Sequence, residues 1–263
     1  MISIRKLKLL SCKADLSALP EGKLLINSIN AYSFNTARKD ELFEEALMKG
    51  DVLLPDGFSI VQACRFLHHT QSKPRQRVAG WDLFAHDMQK LQTESRKWRD
   101  MPQPPYWRQQ HPERQRPVAM FVGSSEHVLS LIRQEAAKVY PDIDIVTYAP
   151  PFKQTFTVTE TLDAVKAIND ADPDVLWIGM TAPKQEKWAF GNWDRLNIHC
   201  HVGTVGAVFD FFAGTAKRAP VRWQDTGFEW LYRLLREPRR MWRRYIIGNA
   251  EFVSIVVREK FGV

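Results

Sequence analysis

Residues 117–123 read Pro-Val-Ala-Met-Phe-Val-Gly, and residues 143–148 read Ile-Asp-Ile-Val-Thr-Tyr. Both runs are short and mostly apolar, as in buried strands. Between them, residues 126–139 carry apolar side chains at the three- and four-residue spacing of a helix. A strand, a helix and a second strand in this order predict a βαβ unit with parallel strands.

The same alternation extends over most of the chain. Four more apolar runs have the length of strands: residues 23–29, 51–55, 174–179 and 199–203. Four more segments have helical periodicity: residues 39–48, 60–67, 162–168 and 185–193. The pattern predicts the α/β class, with a largely parallel sheet.

Composition excludes several classes of protein. The 263 residues are 44% hydrophobic and 25% charged, which fits neither a disordered chain nor an integral membrane protein. The most apolar stretch, residues 245–257, is too short to span a bilayer. The first ten residues lack the features of a signal peptide, so we expect a cytoplasmic protein. Cys12, Cys64 and Cys200 are widely spaced and odd in number, so we expect reduced, buried thiols.

The net charge of +7 is concentrated at one end of the chain. Residues 214–263 hold 11 Lys and Arg against 5 Asp and Glu, so the rest is nearly neutral. We therefore expect an α/β body over residues 1–213 and a basic, aromatic, helical appendage over residues 214–263 that meets an anionic partner. Residues 95–117, with five prolines, break the α/β pattern. They predict a polar surface segment, with a lid over a site as the alternative.

Polar residues follow several of the predicted strands, where ligands bind in open α/β sheets. Ser28 and Asn30 either cap a helix or bind a hydroxylated ligand, and spacing alone leaves both open. Asp56, before Gly57, is either a turn or N-cap residue or a general base.

Two further strand ends are rich in glycine. Gly123-Ser-Ser precedes a helix, whose first N–H groups could bind phosphate, but no Gly-x-Gly-x-x-Gly is present, which disfavours a dehydrogenase. Gly179 precedes Pro183-Lys-Gln-Glu186. Lys184 in the first turn of a helix opposes the helix dipole, which favours an anionic ligand nearby.

Metal binding is not favoured. Asp142-Ile-Asp144 leads into a strand, and Asp170-Ala-Asp172 lies in a turn before a proline. We expect no metal at either pair, and structural roles for the paired histidines at 68–69 and at 199 and 201.

The C-terminal arginines share helical faces and are interleaved with aromatic residues. Such a surface suits an oxyanion cluster such as a diphosphate, beside a membrane interface. The arginines are Arg233, Arg236, Arg240, Arg243 and Arg244.

Eight short motifs in a fixed order complete a resemblance to the TagA/WecG/CpsF glycosyltransferase family, over residues 24–245. They are Asn27-Ser-Ile-Asn30, Pro55-Asp-Gly57, Ala79-Gly-Trp-Asp82, Pro183-Lys-Gln-Glu186, Phe209-Asp-Phe-Phe-Ala-Gly214, Arg218-Ala-Pro220, Glu229-Trp-Leu-Tyr-Arg233 and Glu237-Pro-Arg-Arg240.

The resemblance implies a Rossmann-like body and an inverting, metal-independent transferase without a cofactor. It implies transfer of a sugar from a UDP-sugar to a polyprenyl-diphosphate-linked saccharide in bacterial polysaccharide synthesis. The enzyme would be peripheral on the inner face of the membrane, held by its anionic surface.

The resemblance also implies roles for individual residues. Asp56 resembles the base, and Ser28 and Asn30 the polar pair near the reacting sugars. Gln185 would lie at the nucleotide-sugar. The diphosphate would be bound by Arg233, Arg240 and Arg243.

The donor sugar is less constrained by the motifs. The chain is most similar to members that transfer glucose in β-1,4 linkage, so we expect UDP-glucose, with UDP-N-acetylmannosamine as the alternative. Ser28, Ser59 and Thr181 stand where the family has Thr, Gly and Gly, which leaves the shape of the donor pocket open.

The C-terminal sequence is compatible with two other classes of function. The basic, aromatic C-terminus also suits a nucleic-acid-binding protein or a non-catalytic membrane scaffold. Both leave Asp56 and Pro183-Lys-Gln-Glu186 without a purpose, so we expect no nucleic-acid partner.

Overall fold

The computed structural model describes residues 1–220, 222–223, 229–236 and 238–262, without the side chains of residues 233, 240, 241 and 244. Each of the six apolar runs forms a strand: β1 (Leu24–Ile29), β2 (Val52–Pro55), β3 (Val118–Gly123), β4 (Asp144–Tyr148), β5 (Val175–Gly179) and β6 (His201–Thr204). They form one parallel sheet in the order β2-β1-β6-β5-β3-β4. The prediction of an α/β fold with a parallel sheet is confirmed.

The helices include every predicted one, with some changes of boundary. They are α1 (Ala31–Ala37), α2 (Glu41–Lys49), α3 (Phe58–Leu67), α4 (Gly80–Lys97), α5 (Tyr106–Gln110), α6 (Glu126–Val139), α7 (Val158–Ala171), α8 (Lys184–Gly191), α9 (Ala207–Phe212), α10 (Glu229–Arg236), α11 (Pro238–Trp242) and α12 (Gly248–Phe261). A π-helical turn, Arg243–Ile247, joins α11 to α12. Helices α1, α4, α5 and α9 were not predicted.

The chain packs as two compact units. The first comprises residues 1–15, 27–79 and 217–263. In it, α12 buries Phe252 edge-on against Phe34, with the ring centroids 5.5 Å apart. The Glu259 carboxylate accepts hydrogen bonds from the Ser3 hydroxyl and the Ile4 backbone N–H, at 3.1 and 3.2 Å. The C-terminal helix is therefore part of the packed body of this unit, while the boundary expected at residue 214 stays a prediction.

The second unit comprises residues 16–26 and 80–216. Its core contains Phe84, whose ring packs on Phe121, Trp177 and Phe212 at centroid distances of 5.0–6.1 Å. Strands β3 and β5 pair in register, so that their last residues, Gly123 and Gly179, lie side by side.

The structure tests three further predictions made from the sequence. The three cysteines are free and buried, as predicted. The expectation of a polar surface segment at residues 95–117 is wrong in part, because Trp107 on α5 is only 2% exposed and anchors the segment in the core. No helix among the described residues is both long enough and apolar enough to cross a membrane.

Candidate functional site

Asp56 begins the turn that follows β2 in the first unit. Its backbone N–H donates to the carbonyl oxygens of Ile29 and Leu54, at 3.0 and 2.9 Å, which fixes the turn against the end of β1. The Asp56 side chain is 26% exposed. A fixed backbone with a partly exposed carboxylate is the arrangement that a general base requires.

Asn30 directly follows β1 and caps α1. Its side-chain oxygen accepts a hydrogen bond from the Ser33 backbone N–H at 3.0 Å, so the capping role that the sequence left open is present. A Cβ atom added to Gly57 would lie 3.1 Å from the Asn30 Cβ, so this glycine permits the Asp56 turn to approach Asn30 closely. Ser28 lies two residues earlier on β1 and is half-buried. Its predicted role stays a prediction.

Arg77 is a neighbour of Asp56 that was not predicted from the sequence. One guanidinium nitrogen of Arg77 lies 3.8 Å from the Asp56 carboxylate and 2.7 Å from the Glu229 carboxylate, which belongs to α10. Arg77 stands two residues before the motif that begins at Ala79. Its position in the sequence is therefore a partial indication that it lies near the site. Glu229 begins the motif Glu229-Trp-Leu-Tyr-Arg233, which predicts no role for this residue.

Gly123 and Gly179 lie at the carboxyl ends of β3 and β5 in the second unit. Gly123 has φ +122°, and a Cβ there would lie 2.5 Å from the Gly179 carbonyl oxygen. A Cβ on Gly179 would lie 2.7 Å from the Phe209 ring. Both glycines are thus required by close packing, and they bring the backbone to the N-terminus of α6, which is suited to bind a phosphate group.

Gln185 joins two loops of the second unit. Its side-chain oxygen accepts hydrogen bonds from the backbone N–H groups of Met180 and Gly206, at 3.2 and 3.1 Å. Its side-chain nitrogen donates to the Glu186 carboxylate at 2.9 Å. Gln185 is only 4% exposed, so these contacts make it a support for the loops. The predicted contact with the nucleotide-sugar stays a prediction.

Lys184, at the start of α8, contacts the loop that follows β4. Its ammonium donates to the Lys153 carbonyl oxygen at 2.5 Å and lies 3.7 Å from the centroid of the Phe156 ring. Burial lowers the pKa of Lys184, and the charge of Lys153 acts in the same direction, against that of Glu160. The cation is therefore partly desolvated, which increases its attraction for an anion.

Of the three arginines assigned to diphosphate, one is described. The Arg243 guanidinium lies over the Trp242 ring at 5.3 Å. The side chains of Arg233 and Arg240 lie outside the described residues. The predicted roles of all three stay predictions.

The aspartate pairs considered as metal ligands have other partners. Asp142 is paired with Arg96 at 2.6 Å, and Asp170 with Lys166. Within the described part of the chain, no three His, Cys, Asp or Glu side chains are grouped so that they could hold a metal ion. His201 is structural, as expected, because its ring is bonded to Asp87 and to the Pro20 carbonyl oxygen.

The protein belongs to the class of open, parallel α/β sheets, in which ligands bind beyond the carboxyl ends of the strands. At those ends it carries a carboxylate and close-packed glycines. The family model described as "Glycosyl transferase WecG/TagA/CpsF family" matches residues 2–99 and 105–263. The chain therefore belongs to the WecG/TagA/CpsF family of glycosyltransferases, as the motifs predicted.

Three relatives share one activity in their names, N-acetylglucosaminyldiphosphoundecaprenol N-acetyl-beta-D-mannosaminyltransferase. The protein of Bacillus spizizenii is 25% identical over 225 residues, 85% of this chain and 75% of the relative. That of Bacillus subtilis is 25% identical over 236 residues, 90% of this chain and 80% of the relative. That of Staphylococcus aureus is 23% identical over 232 residues, 88% of this chain and 77% of the relative.

Proposed function

We propose that this protein transfers an N-acetylmannosaminyl residue from a UDP-sugar to N-acetylglucosamine linked to a polyprenyl diphosphate. The observation that carries the proposal is the family match over nearly the whole chain, together with three relatives that share this printed activity. The alignments cover three quarters or more of each relative.

The donor proposed here is the alternative of the two that the sequence suggested. UDP-glucose was the first expectation, but the relatives' names support N-acetylmannosamine better. Glucose and N-acetylmannosamine differ at C2, so the choice depends on how the pocket meets a hydroxyl or an acetamido group. Differences of this kind change specificity most when a buried polar group is left without its partner.

We assign the role of general base to Asp56. The acceptor hydroxyl oxygen attacks the anomeric carbon, its proton passes to the Asp56 carboxylate, and the bond between the anomeric carbon and the diphosphate oxygen breaks with its electron pair leaving on UDP. A single displacement inverts the anomeric centre, so an α-linked donor gives the β product that the relatives' names describe. Asn30 and the half-buried Ser28 are proposed to orient sugar hydroxyls near Asp56.

Charge that develops on the departing diphosphate requires positive partners. The N-terminal N–H groups of α6 and the ammonium of Lys184 are proposed for this role in the second unit. Lys184 would exchange its contact with the Lys153 carbonyl oxygen for a phosphate oxygen. Arg233, Arg240 and Arg243 are proposed to bind the diphosphate of the lipid-linked acceptor.

A peripheral contact with the membrane is proposed for the C-terminal helices. Ile246, Ile247, Val253 and Phe261 are each more than half exposed, in a segment with a surplus of basic residues. Exposed apolar side chains beside basic ones favour an anionic lipid surface. A lipid-linked acceptor would be met at such a surface.

The experiment that tests the proposal is a panel of UDP-sugars incubated with a short-chain polyprenyl-diphosphate N-acetylglucosamine. We expect a disaccharide product with UDP-N-acetylmannosamine and at most trace product with UDP-glucose. If UDP-glucose alone gave product, the proposed donor would be wrong. If no UDP-sugar gave product, the proposed transfer reaction would be wrong. Addition of EDTA to the same assay tests metal independence, and we expect the rate of transfer to stay unchanged.

A further inference from the structure

His201, the first residue of β6, lies between two hydrogen-bond acceptors in the second unit. Its Nδ1 atom is 3.0 Å from the Asp87 carboxylate, and its Nε2 atom is 2.9 Å from the Pro20 carbonyl oxygen. The side chains of His201 and Asp87 are 12% and 7% exposed. Water therefore has little access to the ring or to the carboxylate, and their protonation states are set by the contacts between them.

Neither acceptor can supply a proton to the His201 ring. A carbonyl oxygen carries none, and Asp87 is ionised. Burial acts to raise the pKa of Asp87, but the hydrogen bonds from His201 and His86 outweigh burial and leave that pKa lowered. A neutral imidazole has one N–H and donates to one acceptor, whereas an imidazolium donates from both nitrogens. The geometry around His201 therefore requires the charged ring.

The groups around His201 also favour its charged form. The titratable side chains that line the cavity beside the ring are Asp87, Lys90 and Glu94 on α4, Tyr106 on α5, Glu21 before β1, Asp174 before β5, and His199 and Cys200 before β6. Burial acts to lower the pKa of His201, but Asp87, the Pro20 carbonyl oxygen and the charge of Glu21 outweigh burial and raise that pKa above its ordinary value of 6.5. The ring is therefore charged at pH values at which an unperturbed histidine has lost its proton.

Loss of this proton breaks the contact with Pro20. The neutral ring keeps its N–H on Nδ1, because the bond to the charged Asp87 carboxylate is the stronger of the two. The lone pair of Nε2 then faces the Pro20 carbonyl oxygen at 2.9 Å, which is repulsive. Because the folded pKa is raised, stabilisation by this contact is complete below about pH 6.5 and is lost as the pH rises through the raised pKa.

The other polar side-chain contacts of residues 16–22 lie at the surface. The Ser17 hydroxyl is 3.3 Å from the His86 ring, and the Glu21 carboxylate pairs with Lys90. Both contacts are exposed, and exposed pairs contribute little to stability. The contact with the His201 ring is therefore the one whose loss has the largest effect on how firmly this segment is held.

We propose that His201 is a pH-dependent clamp that holds residues 16–22 against the start of β6. As an imidazolium it bonds Asp87 and Pro20 together, and as a neutral ring it stays on Asp87 and releases the segment. Glu21 and Gly22 line a cavity together with Cys200, whose thiol is buried. Release therefore opens this cavity and exposes the Cys200 thiol to solvent.

The test is alkylation of Cys200 by iodoacetamide between pH 6 and pH 8.5, measured by mass spectrometry of the peptides. Cys64, a buried thiol of the first unit, is the internal reference. Burial raises the pKa of both thiols above this range, so their thiolate fractions rise with pH in parallel. We expect the ratio of the Cys200 rate to the Cys64 rate to rise about tenfold, the effect of losing one hydrogen bond from a charged group. A constant ratio would overturn the proposal.

His201→Gln should remove the pH dependence of this ratio. Glutamine has donors on one atom only, so it cannot bridge Asp87 and Pro20, and the ratio at pH 6 should already match that of the wild-type protein at pH 8.5. His199→Gln is the matched control, because His199 is exposed and lines the same cavity. It should keep the wild-type ratio at each pH. Persistence of the pH dependence in His201→Gln, or its loss in the control, would mean that His201 is not the clamp.

Glu94→Gln and Asp174→Asn separate the clamp from two other groups that titrate in the same range. Burial raises the pKa of each carboxyl to about 7, and both line the cavity. The rise of the ratio with pH should persist in both variants. If it disappears in either one, that carboxyl governs the opening and the proposal is wrong.

NMR titration of the His201 ring in the wild-type protein applies even where His201→Gln fails to fold. The ring nitrogens should report an apparent pKa above 6.5, with the proton lost from Nε2 and kept on Nδ1. A ring that is already neutral at pH 6, or one that loses the proton from Nδ1, contradicts the clamp. These measurements follow residues 16–22 rather than sugar transfer, so their outcome is independent of the proposed function.

Discussion

The side-chain oxygen of Gln185 lies 3.1 Å from the backbone nitrogen of Gly206, and the bond between them joins the loop after β5 to the loop after β6. The same oxygen accepts from Met180. Glycine at position 206 permits this contact, because the Cβ of any other residue would lie 2.9 Å from that oxygen and would crowd it. The buried Gln185 side chain therefore holds together the loops that follow two strands, whether or not it also contacts a ligand.

Replacement of Gln185 by Ala should destabilise the protein and slow turnover together. The change leaves two half-buried N–H groups, those of Met180 and Gly206, without an acceptor, which costs about 1 kcal/mol or more. Thermal unfolding and kcat measure the two effects, and Gln89→Ala, on the exposed face of α4, is a control expected to change neither. A raised KM for the donor with an unchanged melting temperature would instead make Gln185 a direct ligand.

Asp56→Asn should lower kcat by about 10²-fold or more, because an amide cannot take the proton of the acceptor hydroxyl. The melting temperature should change little, since the bonds that fix the turn come from the Asp56 backbone. Asp51→Asn, an exposed aspartate just before the same strand, should retain full activity. Near-normal turnover in Asp56→Asn would move the base to another residue.

The strands were predictable because each carries its own signal. Burial on both faces of a parallel sheet selects continuous apolar runs, and all six runs that the sequence offers are strands. Helix α4 was missed although it is 18 residues long. Its buried face includes Asp87 and Gln92, which interrupt the apolar period. Their partners, His201 and Asp142, are distant in sequence, so no local pattern indicates that these polar residues are buried.

The candidate site was predictable in its residue types and less so in its contacts. Asp56 and Asn30 follow strands, and strand ends are where ligands gather. The bond between Arg77 and Glu229 joins residues 152 positions apart, which no spacing rule reaches. Thr181 stands where the family has glycine, and its φ of +70° is a conformation that glycine adopts more easily.

Gly179→Ala should destabilise the second unit. The added Cβ would lie 2.7 Å from ring atoms of Phe209, which is itself 1% exposed and unable to move away. Overpacking of this kind costs about 1–3 kcal/mol. Gly191→Ala, at the end of α8, has no atom within 4 Å of the new Cβ and should be neutral or slightly stabilising. Chemical denaturation of both variants measures the difference, and equal stabilities would contradict the packing argument.

Glu94 on α4 makes stability depend on pH. Burial raises the pKa of Glu94 to about 7, and the charges of Glu21 and Asp87 add to this rise against that of Lys90. Because the folded pKa exceeds the ordinary value, the folded protein holds the proton more firmly than the unfolded chain. The stabilising contribution is complete below about pH 4.5 and is lost as the pH rises through 7.

Glu94→Gln removes the charge that folding must bury. The variant should therefore exceed the wild-type protein in stability only slightly at pH 5 and by on the order of 1–2 kcal/mol at pH 8, or about 2–4 °C in Tm for each kcal/mol. Thermal unfolding from pH 5 to pH 9 gives the comparison. Glu135→Gln, which changes an exposed glutamate paired with Lys138 on α6, should follow the wild-type curve throughout. If Glu94→Gln follows that curve as well, Glu94 is ionised in the folded protein at no cost, and its burial does not govern the stability of this unit.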